Sequence, residues 1–526
     1  MTLQLSDFLE RHRRPLAGNL PATRISADRE QWLQLAAWLR ESGARLLTLW
    51  GADDRDRDGC FRICAVYLLT EGVLLVEHAM KTTEATASAS YPGLAAIFPV
   101  AQRMQRAVYD LLGISAEQAD GSEADRRGWL RHGGWPETCF PLRRDANGSR
   151  QHPNVSAPYP FVTVEGSGVH EIAVGPVHAG TIEPGHFRFS VVGEKMLRLE
   201  ARLGYTHKGV AKLFETMPQS SGHRLAARIS GDTAVAFSWA YCTALESLTA
   251  TVCPPRATLL RALALEHERL ANHLGDLGAL GNDAGFAFGL THFSRLKEDL
   301  LRCNTVAFGA RYLLDYVLPG GVAVDLPAEA PARLLGLYSE VEQSVANLRS
   351  IYDEHAGLQD RFRGTGRLQQ PIAEKLGALG LVARASGIAC DLRVDHPWPS
   401  YDWVATKCIT QSTGDVAARV QIRFDEAFES LRLCRAFLQD IPVGPIQAPV
   451  PAAAPYRLGL GVIESWRGPV LIALEAGPDG SIRRCHAHDP SWQNWPLIEY
   501  AVIGDIVPDF PLINKSFNLS YSGQDG

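Results

Sequence analysis

The last sixteen residues of the chain, PLINKSFNLSYSGQDG (511–526), most constrain its fold. They follow WQNWPLIEYAVIGDIVPDF (492–510), so the sequence stays apolar and aromatic almost to its final residue. The end of a domain is usually polar and loosely held, whereas apolar side chains are stabilised by leaving water. The sequence therefore predicts a C-terminal segment that folds back and is buried in a large core. A chain of 526 residues has room for that core and for two or three domains.

Charge and hydropathy exclude several classes of partner. The net charge of -6 gives no electrostatic basis for binding nucleic acid, so we predict no nucleic-acid partner. The longest apolar run, around residues 233–245, is interrupted by Ser238 and Thr243 and ends at Glu246, which predicts no transmembrane helix. The N-terminus lacks the basic-then-apolar order of a signal peptide. We expect a cytoplasmic protein that reaches any membrane through partner subunits.

The ten cysteines are scattered, and no two have CxxC spacing. The closest pair, Cys60 and Cys64, lies in CFRICAVYLL, a pattern typical of a strand with buried thiols. Iron–sulfur and structural zinc sites require several thiolates held close together. The sequence therefore predicts no metal centre and no cofactor bound by this chain.

The fold class predicted is multidomain, with an N-terminal α+β domain followed by a mainly α-helical domain that has small sheets. Residues 25–145 alternate amphipathic helices with strands such as FRICAVYLLT and GVLLVEHAM. Residues 146–168, rich in Gly, Pro, Asn and Ser, predict a linker. In residues 169–526 we predict one strand pair, YRLGLGVIESWRGPVLIALEA, and four long helical segments: VVGEKMLRLEARLGY, SGDTAVAFSWAYCTALESL, PPRATLLRALALEHERLANHLGDLGAL and GDVAARVQIRFDEAFESLRLCRAFLQDI.

Six separated strings, namely five internal strings and the C-terminal tail, carry in order a resemblance to one family. They resemble the large subunit of group 4 nickel–iron hydrogenases of the formate hydrogenlyase and hydrogenase-4 type, and the 49 kDa subunit of complex I. The five are GPVHAGTIEPGHFRF (175–189), GYTHKGVAKLFE (204–215), RISGDTAVA (228–236), ALEHERLANHLGDLG (264–278) and ESWRGPV (464–470). The N-terminal YPGLAAIFPVAQRMQRAVYDLLGI and WPETCFPLRRD resemble the complex I 30 kDa subunit, which is fused in front in formate hydrogenlyases. The resemblance implies a hydrogenase-type or 49 kDa-type second domain and a docking role for the first.

The resemblance also shows what is missing. The family holds nickel and iron with an RxCGxC motif and a C-terminal DPCxxC motif, because soft thiolates stabilise these metals. Here the four cysteine positions hold Ser230, Thr233, Ser520 and Gly523. A hydroxyl binds nickel poorly and glycine has no side chain, so we expect a degenerate nickel–iron site and no hydrogenase activity. The buried tail is then the segment that delivers the second cysteine pair in the family, retained here without its ligands.

Two charged residues are candidates for proton transfer at this position. Glu183 matches a glutamate that the resemblance implies in proton traffic near nickel, although a structural ion pair with a nearby arginine is an equal alternative. Arg467 matches an arginine that overhangs the iron in hydrogenases. Without iron it needs an anionic partner, for which Asp232 and Asp391 are the candidates.

Three histidines are candidates for contact with a quinone or for a relay of protons. In the complex I branch, a histidine in the segment that holds His178 and His186 contacts the quinone, but the partner tyrosine would fall at Gly231 here. Packing roles are therefore open alternatives for both. His207 belongs to the motif that faces the iron–sulfur subunit, where packing or a relay role is expected.

Helical spacing places Glu266, Arg269 and His273 on one face of the same helix. They form either a buried structural network or part of a proton path. No GxGxxG motif follows a strand and no P-loop is present, so the sequence itself gives no nucleotide site, although members of the family are associated with nickel or NAD.

The resemblance implies a large subunit of a membrane-associated oxidoreductase complex of the complex I, NADH dehydrogenase or hydrogenase-4 type. Electron transfer, with a quinone as one possible acceptor, would be coupled to proton or ion movement. The implied partners are a small iron–sulfur subunit like the 20 kDa subunit of complex I, which would carry a [4Fe-4S] cluster, and antiporter-type membrane-arm subunits. The chain would lie on the cytoplasmic face of the inner membrane. The alternative is a non-catalytic scaffold that joins a soluble partner to those membrane subunits.

Overall fold

The computed structural model describes residue 9 and residues 11–81, 89–118, 124–132, 134–146, 158–179 and 182–526. Its first part is an α+β unit. The elements are β1 (Arg14–Pro15), β2 (Ala17–Gly18), β3 (Ala22–Ser26), α1 (Arg29–Glu41), β4 (Arg45–Asp54), α2 (Arg55–Asp58), β5 (Cys60–Leu69), β6 (Gly72–Lys81), β7 (Ser90–Pro92), α3 (Ala101–Leu112) and β8 (Ser115–Glu117).

The main sheet of this unit has the strand order β1-β3-β6-β5-β4. Helix α1 begins at a capping box in which Asp28 and Gln31 exchange hydrogen bonds, in agreement with the helix start predicted at Asp28. The strands predicted around Cys60 and Cys64 are confirmed, and both thiols are buried. Residues 158–168 contain no helix or strand, and the rest of the predicted linker, 147–157, lies outside the described residues.

One predicted helix is wrong. The segment VVGEKMLRLEARLGY forms most of an antiparallel hairpin of β10 (His186–Val192) and β11 (Lys195–Arg202), joined through Gly193 in the left-handed conformation. A third strand, β9 (Val169–Val174), pairs with the other edge of β10. The apolar residues also fit a period of two, and Phe187, Phe189 and Val191 all point into one core, so strand pairing prevails over helix propensity.

The second part is mainly helical, and the other three long predicted helices are confirmed. Helix α7 packs against α6, α8 and α14 and is buried on nearly every side of its central turns. The elements are α4 (Val210–Phe214), α5 (Gly222–Ala226), α6 (Ala234–Thr249), α7 (Pro255–Asp283), α8 (Ala287–Phe308), β12 (Val317–Leu318), β13 (Gly321–Val322), α9 (Ala330–Glu354), α10 (Ala356–Phe362), α11 (Gln370–Leu376), α12 (Gly380–Ala385), α13 (Leu392–Asp395) and α14 (Val416–Gln439).

The C-terminal part closes the fold. Its elements are β14 (Leu458–Ser465), β15 (Gly468–Ala476), β16 (Ile482–His488), α15 (Ser491–Ala501), α16 (Phe510–Phe517) and α17 (Tyr521–Asp525), with short 3-10 turns at Pro478–Gly480 and Val507–Asp509. The predicted strand pair β14–β15 is confirmed, and the sheet lies against α6. The tail is buried as predicted, since every residue of 519–525 is buried, none of the side chains there being more than 6% exposed.

The first and last parts of the chain interlock. Strand β2 pairs in parallel with β14, and Trp50 on β4 stacks on His486 of β16 with ring centroids 4.6 Å apart. In the part of the chain that the structure describes, no helix has the length and hydropathy needed to cross a bilayer. The motif residues described next lie where the tail meets α6 and the β14–β15 turn.

Candidate functional site

The four positions that the resemblance matches to cysteines meet at one place in the fold. Ser230 and Thr233 lie in the turn before α6, while Ser520 caps the N-terminus of α17 and Gly523 lies within it. Ser230 and Ser520 are joined directly, with their Oγ atoms 2.9 Å apart. The two motifs, far apart in the chain, are therefore brought together by the fold.

An ion pair occupies the centre of this cluster. Arg467, in the tight turn between β14 and β15, donates from Nη1 to Asp232 Oδ1 at 2.7 Å and from Nη2 to Oδ2 at 2.5 Å. Its Nη1 also donates to Thr233 Oγ1 at 3.1 Å. The guanidinium beside Asp232 outweighs the effect of burial and holds the pKa of that carboxyl well below its usual range. Of the two predicted partners Arg467 uses Asp232, while Asp391 pairs with Arg393 at 2.6 Å.

The hydroxyl groups complete this arrangement instead of offering free ligands. Ser230 Oγ donates to Asp232 Oδ1 at 2.8 Å, and Ser520 Oγ accepts the backbone N–H of Gly523 at 2.8 Å. A further hydroxyl, Ser522 Oγ, lies 3.5 Å from Ser520 Oγ. The serine and threonine side chains therefore act as hydrogen-bonding groups in a closed network.

Asp489 fills the space beside the fourth position. A Cβ atom added at Gly523 would lie 2.5 Å from Asp489 Oδ2, a distance that real Cβ contacts do not reach. This Oδ2 has no hydrogen-bond partner among the described residues, whereas Oδ1 accepts the N–H of Ser491 at 2.8 Å. Burial raises the pKa of Asp489 in spite of the nearby charge of Arg467.

These residues do not fit a nickel–iron centre. None of the four positions offers a thiolate, and the carboxylate of Asp232 is engaged by Arg467. Over the described ranges, no group of three or more His, Cys, Asp and Glu side chains is arranged to hold a metal ion. No step of chemistry at this site is therefore derived through nickel or iron.

Glu183 lies on the tail side of the cluster. Its Oε2 accepts the backbone N–H of Ser522 at 3.0 Å, and its charge also acts on Lys208. Asp525 lies close by and accepts hydrogen bonds from the backbone of Gly204 and Thr206, both at 2.8 Å. Burial raises the pKa of Asp525 to about 6, with the charge of Glu183 adding to the shift. The tail thus brings two acidic groups to the edge of the former metal position.

The three histidines are separated by their contacts. His178 Nε2 meets the carbonyl of Gly185 at 2.8 Å and His186 Nδ1 meets that of Gly175 at 3.2 Å, so the two histidines hold the segments around Gly175 and Gly185 together. His207 Nδ1 binds the carbonyl of Asp525 at 2.8 Å, and burial lowers its pKa. His207 therefore holds the tail, while His178 and His186 connect the segments around Gly175 and Gly185.

Glu266, Arg269 and His273 do lie on one face, as their spacing predicts, and they belong to a larger buried network. Arg269 Nε lies 3.3 Å from Glu266 Oε2, and His273 Nε2 lies 2.9 Å from Glu426 Oε2. The remaining members are contributed by other elements: Arg384, Asp391, Arg393, Tyr401, Ser430 and Glu464.

The network contains more acids than arginines. Three buried arginines face four buried carboxylates, counting Arg269, Arg384 and Arg393 against Glu266, Asp391, Glu426 and Glu464. Burial and the charge of Asp391 raise the pKa of Glu464 to about 7. The extra acid can therefore hold a proton near neutral pH.

Sequence reasoning missed Asp489, Asp525 and Glu464. Asp525 lies in the quoted tail and Glu464 stands three residues before Arg467, so their positions beside the motifs were available signals. Asp489 lies in none of the six strings that carry the resemblance, and only the backbone path of the tail brings it to Gly523.

Comparisons with known proteins match the two parts of the chain to two subunits of one respiratory enzyme. Residues 25–152 match the family described as respiratory-chain NADH dehydrogenase, 30 Kd subunit, and residues 283–458 match the 49 Kd subunit of the same enzyme. Formate hydrogenlyase subunit 5 of Escherichia coli (strain K12) is 30% identical over 490 residues, which cover 92% of this chain and 85% of that protein. Hydrogenase-4 component G of the same organism is 31% identical over 486 residues, covering 91% and 83%.

Two more distant similarities are to a sequence relative and to a solved structure. A protein of the NADH-quinone oxidoreductase of Bacteroides thetaiotaomicron is 27% identical over 465 residues, covering 83% of this chain and 86% of that protein. Among solved structures, a chain of the membrane-bound sulfane sulfur reductase, an archaeal respiratory membrane complex, matches with a TM-score of 0.65 at 23% identity. That match covers 68% of this chain and 98% of the other, and it shows the fold alone.

Proposed function

The chain belongs to the family of group 4 hydrogenase large subunits in which complex I 30 kDa-like and 49 kDa-like parts are fused, and on this premise we propose that it works without a nickel–iron centre. It is the large subunit of a membrane-associated, complex I-like oxidoreductase complex, and it takes part in electron transfer coupled to proton or ion movement. The observation that carries the proposal is the ion pair of Arg467 and Asp232 at the place of the metals.

The partners follow from the same premise. A small iron–sulfur subunit with a [4Fe-4S] cluster would dock near the tail and His207, and membrane-arm subunits would hold the complex at the cytoplasmic face of the inner membrane. The relatives are named as a subunit of formate hydrogenlyase, a component of hydrogenase-4 and a subunit of NADH-quinone oxidoreductase, which supports membership of a multi-subunit complex. The fine division into domains at residues 25–145, 146–168 and 169–526 is part of this proposal.

The residues at the former metal position are suited to moving protons. A line of hydrogen-bonded groups runs from Asp232 through Ser230 Oγ and Ser520 Oγ to Ser522, whose backbone N–H binds Glu183. Hydroxyl groups can both donate and accept, so the side chains of Ser230, Ser520 and Ser522 can pass a proton along this line, whereas the backbone N–H of Ser522 only anchors Glu183 beside it. We assign Glu183 to proton transfer at the tail end and Arg467 to holding Asp232 ionised.

A quinone contact at His186 is not part of this proposal. The Nδ1 atom of His186 is hydrogen-bonded to the carbonyl of Gly175. The position that the resemblance matches to the quinone-binding tyrosine is Gly231, which is exposed and has no side chain. The network around Glu266, Arg269 and His273 is assigned to proton storage, because Glu464 has a pKa near 7 within it.

A non-catalytic scaffold is the second candidate, favoured by the loss of all four thiolates. Metal analysis and EPR on the complex, purified with its partner subunits under reducing conditions, separate the two. The proposal expects no nickel and a reducible cluster that is reoxidised by an added electron acceptor such as a quinone. A complex with no redox-active cluster beside this chain supports the scaffold. Stoichiometric nickel bound by this chain refutes both.

A further inference from the structure

A cleft of about 890 Å³ lies apart from the cluster of Ser230, Asp232, Arg467 and Ser520. None of these residues lines the cleft. Its walls are residues 126–132 and 135–137, residues 158–163 and the sheet of β9, β10 and β11. We call it the arginine cleft, because five arginines line it against two acidic residues: Arg126, Arg127, Arg131, Arg188 and Arg202 against Glu137 and Glu171. Arg127 is already paired with Asp125 at 2.7 Å and with Glu200 at 2.8 Å, so the arginines considered for an incoming anion are Arg131, Arg188 and Arg202.

One of these arginines is buried without a carboxylate partner. Arg202 is 3% exposed and donates to the backbone carbonyls of Trp129 and Leu203. None of the carboxylates in the described ranges forms an ion pair with it. Burial and the charge of nearby Arg106 lower its pKa to about 10. The charge of Asp110 acts on Arg202 only from beyond ion-pair distance, and a buried guanidinium is destabilising unless an anion offsets its charge.

The acidic partners of two other cleft arginines are poorly fixed. Arg131 is paired with Glu137, whose side chain is 79% exposed, at 2.7 Å, and its Nε lies 3.9 Å from the buried Asp110. Arg188 is paired with Glu171, whose side chain is 37% exposed, at 2.9 Å. Pairs of this kind contribute little stability, so incoming carboxylates can replace these glutamates at small cost.

A buried histidine supplies an independent sign of a ligand. His186 lines the cleft and is 9% exposed, and its Nε2 has no hydrogen-bond partner in the described part of the chain. Its Nδ1 is directed at the carbonyl of Gly175, and burial lowers its pKa, so the ring is neutral and Nε2 is an acceptor. An occupant that satisfies it must therefore donate a hydrogen bond.

Aromatic rings complete the lining. The ring of Tyr159 lies 4.7 Å from the guanidinium carbon of Arg202, and that of Phe161 lies 4.6 Å from the guanidinium carbon of Arg188. Trp135 and Tyr205 also line the cleft. Flat arginine and aromatic surfaces of this kind bind carboxylates and rings from the same ligand.

We infer that the arginine cleft binds an acidic peptide segment of a partner polypeptide. A peptide supplies carboxylates for Arg131 and Arg188, side chains for the rings, and a backbone N–H for His186. A small anion such as phosphate would leave the aromatic lining uncovered, and a flat bilayer surface does not reach the buried Arg202 and His186. The assignment rests on the proposed function only in taking that polypeptide to be a subunit of the same complex.

Binding is tested first on the isolated full-length chain. The probe is a fluorescein-labelled peptide of alternating glutamate and tyrosine, compared by anisotropy with its glutamine–tyrosine analogue and with inorganic phosphate as competitor. We expect the acidic peptide alone to bind, and Arg188→Glu to weaken it at least tenfold. The matched control is Arg295→Glu, which reverses another arginine paired with an exposed acid, Asp299, and should change the affinity less than twofold.

Equal binding by the Arg188→Glu variant, or no binding of the acidic peptide, overturns the assignment. Displacement by phosphate beyond the effect of matched ionic strength would mean a small-anion site and also overturns it. In the purified complex, a photo-cross-linking residue at Thr163, with Thr291 as control position, should form an adduct with an acidic segment of a partner chain. Adducts only with phospholipid or a second copy of this chain contradict it. Because no redox chemistry is needed, failure here is distinct from failure of the metal and EPR test.

Discussion

Replacing Arg467 by methionine should release the C-terminal tail locally. The Nε of Arg467 donates to the carbonyl of Asn518 at 2.6 Å, which is the bond that joins the tail to the β14–β15 turn. A hydrogen bond from a charged donor contributes about 1.5–3 kcal/mol. Its loss should raise the population of the opened tail by roughly 10- to 150-fold, since about 1.4 kcal/mol corresponds to a factor of ten. Other anchors remain, including the pair of Asn518 Nδ2 and Asp276 Oδ1 at 2.7 Å, so the whole chain should stay folded.

Hydrogen exchange measured by mass spectrometry on a peptide covering residues 517–526 tests this directly. The slow amides of Ser520 and Gly523 bind Ser491 Oγ and Ser520 Oγ in the closed tail, so their exchange reports its opening. The control is Arg457→Met, an exposed arginine in the same part of the chain. Exchange in the Arg467→Met protein within twofold of the wild type would refute the view that this side chain holds the tail.

Three further predictions concern buried groups. Gly523→Ala should cost about 1–3 kcal/mol in urea unfolding because its Cβ meets Asp489 Oδ2 and Ser520 Oγ. Asp489→Ala should relieve part of that cost in the double variant, whereas purely additive losses would contradict the contact with Asp489. The folded-state pKa of Asp525 is raised to about 6, above the unfolded value near 3.9, so its contribution is present below about pH 4 and is lost as pH rises through 6. Tail exchange, corrected for intrinsic rates, should therefore be faster at pH 7.5 than at pH 5, and Asp525→Asn should abolish the difference; equal rates at the two pH values in the wild type would contradict this. Glu464→Gln should change the free energy of unfolding at pH 6 by less than about 1 kcal/mol because the acid is already protonated there. Glu426→Gln removes an ionised partner of Arg384 and should cost about 3–5 kcal/mol. Equal losses for the two variants in thermal or urea unfolding would disprove the charge balance.

Sequence patterns predict the long helices, the strand pair at 456–476 and the buried tail because each is a strong local signal. Helix periodicity persists over many turns in α6, α7 and α14, and an apolar chain end has no stable place in water. The hairpin of β10 and β11 is mistaken for a helix because its apolar residues fit either period over so short a segment. Register and pairing with β9 decide the matter, and these depend on residues distant in the chain.

The candidate site, like the fold, is only partly predictable from the sequence. The positions Ser230, Thr233, Ser520 and Arg467 are predicted because each lies in a short motif that can be recognised along the chain. The choice of Asp232 over Asp391 as the partner of Arg467 does not, because it depends on which loop the β14–β15 turn approaches. The arginine cleft has no motif at all, because its side chains come from three separate segments that only the folded chain brings together.

The charges around Asp232 and Arg467 balance without a metal. This balance explains why the hydroxyls, the glycine and the ion pair occur together. A nickel–iron centre with four thiolates requires metal cations to offset the negative charge of its ligands. Here the four matched positions hold neutral hydroxyls and a glycine, one cation, Arg467, faces one ionised acid, Asp232, and burial raises the pKa of the remaining acid, Asp489. A cysteine at Gly523 alone would place its side chain in space that the Asp489 carboxylate already fills. Single cysteine substitutions should therefore destabilise this site instead of rebuilding a metal centre, since the hydroxyls, the ion pair and Asp489 support one another.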